Sequence, residues 1–316
     1  MSTKTILSNY NIKLGSGNTA YGPEALEALT SGSSNSAFGN KALESLTTGT
    51  NCSAFGDNSL QANTSGVNNV SFGSFSSASV VTGSNNTGVG TSTLALNTGS
   101  NNTAIGYRAL LNTTGSSNTA GGWDALMSNT TGVTNTAWGV SALQNNTSGD
   151  SNTAVGLSAL VTTTTGGNCS GLGNGASSTT ATASNEITLG NGSITALRCN
   201  VTTITSLSDL RDKDKIKDLK LGLNYILSIR PVEFEWNRRD GSTFKKGEKD
   251  IGFIAQELKA TQDKFKANYV DSVLETNPDK LEASYGRLLP IMAQAIKELS
   301  AKVEKLEKNQ KLMKTN

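Results

Sequence analysis

The sequence predicts a mainly β repeat shaft followed by a small α+β domain that ends in a coiled coil. Three observations carry that prediction: a break in composition near residue 200, a phrase that recurs about every 17 residues before it, and an apolar heptad at the end. The first 200 residues hold 28 of the 33 glycines but only five Lys/Arg and seven Asp/Glu, whereas the rest of the chain carries 22 basic and 18 acidic residues. An uncharged Gly/Ser/Thr/Asn polymer precedes an ordinary charged domain.

Low complexity usually indicates disorder, but a strict period takes precedence. The phrase Asn-Thr/Ser-Ala-x-Gly recurs with its last Gly at 22, 39, 56, 73, 90, 106, 122, 139, 156 and 173, a spacing of 17 with two intervals of 16. A large apolar residue precedes most of these glycines (Tyr21, Phe38, Phe55, Phe72, Val89, Ile105, Trp138, Val155, Leu172), with a lapse at Gly121. A second apolar site follows at Leu26, Leu43, Leu60, Leu94, Leu110, Leu126, Leu143 and Leu160, and the fourth copy has Ser77 there. Each copy therefore offers a short extended piece, a Gly bend, an Ala-Leu segment with room for a short helical turn, and an Asn/Thr/Gly turn. Such units must stack to bury anything. Ten rungs at ~4.8 Å make a rod of roughly 45–50 Å, with Asn and Thr in register as ladders. The chain is only 35% hydrophobic, and one or two apolar residues per rung is thin for a free-standing solenoid. Three chains around one axis would pool them, so the expected shaft is a trimeric parallel β-roll or β-helix-like structure.

Composition also excludes. The chain has no His, which removes Ser-His-Asp and Cys-His triads and His-containing zinc sites. Cys52, Cys169 and Cys199 are odd in number and lack metal spacing, so neither a disulfide framework nor a metal or cofactor site is predicted. Cys52 and Cys169 occupy the Asn position of their copies and read as substitutions within a rung. No stretch approaches the ~20 apolar residues of a membrane span, and the N-terminus lacks an apolar signal core. A net charge of +2 gives no reason to expect a nucleic-acid partner. Seven scattered acids in the first 200 residues do not supply the paired carboxylates of a glycosidase.

Beyond the last copy, residues 185–190 and 193–199 read as one or two strands. Arg230-Pro231-Val232-Glu233-Phe234-Glu235-Trp236 alternates like a strand, and Ile251 to Leu258 reads as strand into helix. The terminal heptad places Leu289, Ile296, Val303 and Gln310 at a and Met292, Leu299, Leu306 and Met313 at d, with Lys and Glu flanking, as in a coiled coil. The expected organisation is an N-terminal segment (1–14), repeat shaft (15–176), β connector (177–207), folded domain (208–287) and coiled-coil helix (288–316).

Four motifs occur in order: Ser208-Asp209-x-Arg211-x-Lys213-x-x-Ile216, then Arg230-Pro231-Val232-x-Phe234-x-Trp236, then Gly252-Phe253-Ile254-Ala255-Gln256-Glu257, then Tyr285 with Leu288-Leu289-Pro290. Together they resemble the C-terminal intramolecular chaperone domain of endosialidases and phage tail fibres, over residues ~200–316. The repeats resemble the head repeats of trimeric autotransporter adhesins and the shafts of phage tail fibres. The resemblance implies a homotrimer whose terminal domain guides folding of the shaft and then cuts itself off between Leu207 and Ser208. Ser208 would be the nucleophile and Lys213 its partner, in a single-turnover, serine-peptidase-like reaction. Position 212 is Asp where several relatives have Leu. Asp209, Arg211, Gln256 and Glu257 are candidate supporting residues, and Trp236 and Phe253 are expected in the core.

The chemistry agrees with that assignment. A hydroxyl needs a base to become a nucleophile, and an unperturbed lysine, at ~10.4, is protonated at neutral pH. Lys213 would need desolvation or cationic neighbours. Arg211, Lys215 and Lys217 could supply the neighbours, with Asp209, Asp212 and Asp214 opposing, and trimer formation could supply the burial. The expected role is a virion tail-fibre or spike protein, made in the host cytoplasm, with other tail proteins as partners. Its shaft is also a candidate surface for a host glycan or receptor. The alternative is a trimeric surface adhesin or glycan-binding module that is not cleaved.

Overall fold

The computed structural model describes residues 17–194, 196–198, 208–237, 245–277, 279 and 281–315. The chain forms two compact units divided after Ile194. In the first, eleven three-residue strands run from β1 (Thr19–Tyr21) to β11 (Ile187–Leu189) and form one parallel sheet in sequential order. Register follows the repeat: Ala20 pairs Ala37, Ala37 pairs Ala54, and Ala137 pairs Ala154. This is a parallel β-solenoid of about ten turns. The strand expected near residues 185–190 is its last rung, whereas residues 191–194 and 196–198 form no strand; Thr195 and Cys199 lie outside the described residues.

Each chain closes its own core, which differs from the pooled core expected of three chains. The middle residue of the strand points inward and is small: Ala20, Ala37, Ala54, Ala104, Ala120, Ala137 and Ala154 are buried, facing the leucine ladder from Leu26 to Leu160. Because a strand alternates its side chains, the large residue after the Ala must point out. Tyr21, Phe38, Val89, Trp138 and Leu172 are accordingly exposed. The rung is too thin for an aromatic. At Gly171, even an added Cβ would lie 2.7 Å from Leu160 Cγ.

The bends use left-handed backbone repeatedly. In the third rung Asn51, Gly56, Asn58 and Leu60 have φ of 57, 138, 55 and 51°. Asn tolerates this region, but Leu does so at a cost of roughly 1–2 kcal/mol. Burying the Leu side chain returns about 1.5–3 kcal/mol, and its N–H bonds to the next rung, as in Leu43 N–H to the Ser59 carbonyl at 3.0 Å. The two 16-residue intervals lose their residue in the turn after Leu94 and Leu110, so strand register survives.

Buried polar ladders run beside the leucines. Asn118 Oδ1 accepts the Asn135 N–H at 2.9 Å while its Nδ2 donates to the Gly132 carbonyl at 2.9 Å, and the pattern repeats in neighbouring rungs. Cys52 imitates the amide, since its thiol donates to the Gly66 carbonyl at 3.3 Å and its sulfur accepts from the Asn69 backbone. Burial pushes this thiol up from its ordinary pKa. Sulfur bonds are weak, and Asn35 and Asn69 occupy the same place in the adjoining rungs. Cys52→Asn should therefore stabilise the shaft by about 1 kcal/mol, read as a higher midpoint in denaturant. In rungs four and five the apolar core thins. Ser71, Ser76, Ser77 and Thr93 take places that Ala or Leu holds elsewhere, with Ser76 and Thr93 hydroxyls 2.7 Å apart, between one apolar block that includes Val80 and another that includes Leu94.

The second unit is small and α+β. Its elements are α1 (Leu223–Ile226), the antiparallel pair β12 (Pro231–Glu235) and β13 (Lys249–Phe253), α2 (Ala255–Lys264), the short pair β14 (Val273–Leu274) and β15 (Glu282–Ala283), and α3 (Leu289–Thr315). Tyr225, Leu258, Val273, Leu288 and Ile291 form the core. Ile291 and Ala295 dock α3 on the unit, and Glu298 accepts the Leu223 N–H at 2.9 Å. The heptad face of α3 is another face: Leu289, Met292, Ile296, Leu299, Val303, Leu306 and Met313 are all exposed.

Candidate cleavage site

Ser208 stands just before a single 3-10 turn, Leu210–Asp212. Asp209 caps that turn, its Oδ1 accepting the Arg211 N–H at 2.8 Å, and the Arg211 guanidinium clamps both carboxylate oxygens at 3.0 and 2.6 Å. Lys213 closes the turn with its N–H on the Leu210 carbonyl at 3.2 Å and continues in extended backbone. One tight turn across five positions thereby brings the two side chains together. Lys213 Nζ donates to Ser208 Oγ at 2.5 Å and to the Ser208 carbonyl at 3.3 Å.

The Asp209 carboxylate faces Arg211, whose guanidinium and N–H hold it below the ordinary carboxylate pKa. By sign, a depressed pKa means the cap holds at neutral pH and is lost as pH falls through that lowered value. Every residue from Ser208 to Asp218 is exposed in the single chain, so no burial surrounds Lys213 here. Leu207 lies outside the described residues.

Gln256 and Glu257 make no hydrogen bond or ion pair to Ser208 or Lys213 among the described residues. Glu257 pairs with Arg230 through both guanidinium arms and is held below its usual pKa by that bond. The Arg230 partnership joins the second and third motifs, and the opposite charges in those motifs were its only sequence signal. Gln256 lines a groove of about 990 Å³ with Phe234, Trp236, Phe253 and Tyr285. Trp236 and Phe253 were expected in the core: Phe253 packs half-buried against it, whereas Trp236 is half-buried on the groove. Trp236 Nε1 donates to Asp250 at 3.1 Å and Tyr285 OH accepts the Phe253 N–H at 3.3 Å. An added Cβ on Gly252 would lie 2.6 Å from that hydroxyl, which ties the third motif to the fourth.

In the shaft, Glu24, Glu27 and Glu44 bring carboxylates within 4.8 Å of one another, with the Lys41 ammonium 3.1 Å from Glu24. Among the described residues no helix is long and apolar enough to cross a membrane.

Residues 208–266 match the family described as the chaperone of endosialidase, a peptidase family. The match begins at Ser208 and ends before Tyr285 and α3. Neither the curated proteins nor the solved structures contain a match to this chain. The C-terminal region therefore carries an endosialidase-type chaperone domain, preceded by a β-solenoid of repeats.

Proposed function

We propose that this chain is a phage tail-fibre or spike protein, folded as a homotrimer by its C-terminal chaperone, which then releases itself by cutting between Leu207 and Ser208. The observation that carries the reading is the 2.5 Å hydrogen bond between Lys213 Nζ and Ser208 Oγ, at the first residue of the family match. In the reaction, unprotonated Lys213 takes the hydroxyl proton as Oγ attacks the Leu207 carbonyl carbon. The Leu207–Ser208 C–N bond breaks as the proton passes to the departing amine. Water then hydrolyses the resulting ester, leaving a Leu207 carboxylate and a free Ser208 amino group.

The exposure of Ser208 and Lys213 supports assembly-gated cutting, because packing of further copies would supply the desolvation that favours a neutral lysine. The unpartnered heptad face of α3 supports a trimeric coiled coil. Domain limits of 1–14, 15–176, 177–207, 208–287 and 288–316 belong to the same proposal, as does residence in the virion tail. The second reading, a trimeric adhesin or glycan-binding shaft without cleavage, is favoured by exposed Tyr107 and Trp123, whose rings meet edge-on at 5.5 Å.

Intact-mass analysis of purified wild type beside Ser208→Ala decides between them. Wild type should appear as two fragments joined at Leu207/Ser208 and the variant as one full-length chain. An uncut, trimeric wild type would overturn self-cleavage and leave the second reading.

A further inference from the structure

We infer that the outward strand face of the shaft is an interface with two further copies of this chain, meeting in parallel along the row that runs from Tyr21 to Leu189. This rests on the homotrimer proposed above and assigns the surface that the shaft contributes to it.

The face is uncharged from end to end. Its first outward position is Thr or Ser in nine of eleven rungs and its third is apolar in ten of eleven. Most of the third row is exposed, with Tyr21 at 54%, Trp138 at 52% and Leu189 at 50%, while Phe55 is half-buried between its neighbours. The lapse at Gly121 leaves no gap, because the Trp138 ring lies over it so closely that a Cβ there would sit 2.5 Å from Cε3. Phe38, Phe55 and Phe72 stack at 4.8 and 4.6 Å, nearly parallel, so the side chains repeat with the rungs. A monomer seldom exposes so long an apolar strip without a partner.

The period identifies the occupant. A strip of ridges repeating every ~4.8 Å is complementary over its whole length only to a surface with the same repeat, and a parallel second copy has it. A saccharide chain or an unrelated globular protein does not share that spacing over eleven rungs. The exposed heptad face of α3 lies on the same chain, so gathering three helices raises the local concentration of three such strips. The strip is also about 50 Å long by that spacing, enough for each copy to cover on the order of 800 Å².

Single cysteines test the assignment in full-length protein carrying Cys199→Ser, with Cys52 and Cys169 left buried in their rungs. Val89→Cys and Val155→Cys sit on the strip, and Thr131→Cys sits in an exposed turn outside the strand face. A short bismaleimide should give covalent dimers from positions 89 and 155 at a yield at least tenfold above position 131. Sedimentation of the same samples separates the two levels of the argument. A trimer that cross-links at neither 89 nor 155, or equally well at 131, overturns the interface while the homotrimer stands. A single-chain mass overturns both.

Discussion

Gly122→Ala should unfold the shaft from its middle, lowering stability by about 2–5 kcal/mol and splitting the melting transition of the full-length protein. Two costs combine. Gly122 has φ of 129°, where an L residue is strained by roughly 1–2 kcal/mol. Its added Cβ would also lie 2.5 Å from the Gly139 carbonyl oxygen and 2.6 Å from its carbon, and overpacking of that kind costs typically 1–3 kcal/mol or more. The neighbour cannot step aside. It is backbone, tied into the next rung, and the Gly139 N–H is bonded to the Gly121 carbonyl at 2.7 Å. Gly175→Asn is the matched control: its φ of 63° suits Asn, the nearest atom to an added Cβ is 3.4 Å away, and the transition should move little. Equal losses from both variants would mean that rung contact does not decide these positions.

Lys213→Met should reduce self-cleavage at least 10³-fold while leaving the protein trimeric, and Lys213→Arg should do no better. Methionine keeps much of the side-chain length and bulk without a base. Arginine keeps the charge and a donor to Ser208, but it stays protonated and cannot accept the hydroxyl proton. If the Ser208–Lys213 contact were only a turn-stabilising hydrogen bond, arginine would rescue it. Cleavage time courses followed by intact mass, with sedimentation on the same samples, distinguish the roles. A Lys213→Met protein that cuts at the wild-type rate removes lysine from the chemistry.

Much of the fold was legible because translation leaves marks. The Gly column at 22 to 173, the leucine column and the Asn phrase each report one place in the rung, and each stands where its spacing put it. The facing of Tyr21, Phe38 and Trp138 was not legible, because hydrophobicity alone draws such residues inward. In a three-residue strand the parity is set by whichever residue the thin interior admits, and that is Ala. A second glycine column, including Gly49, Gly83 and Gly115, was hidden in a polymer rich in glycine. Its reason is spatial, since an added Cβ at Gly115 would lie 2.0 Å from the next rung's carbonyl oxygen. The left-handed leucines had no sequence signal at all. At the site, the five-residue spacing of Ser208 and Lys213 was readable as one turn, whereas the capture of Asp209 by Arg211 was not. Counting charges in a run does not say which of them are already spoken for.

The hydroxyl-lined stretch around Ser76 and Thr93 gives the rod a scored line. Pulled from its two ends, the rod should snap there into an upper and a lower stick, each keeping its own oily spine. Load applied at the tip would then be released at a chosen place along the solenoid instead of unravelling it from one end.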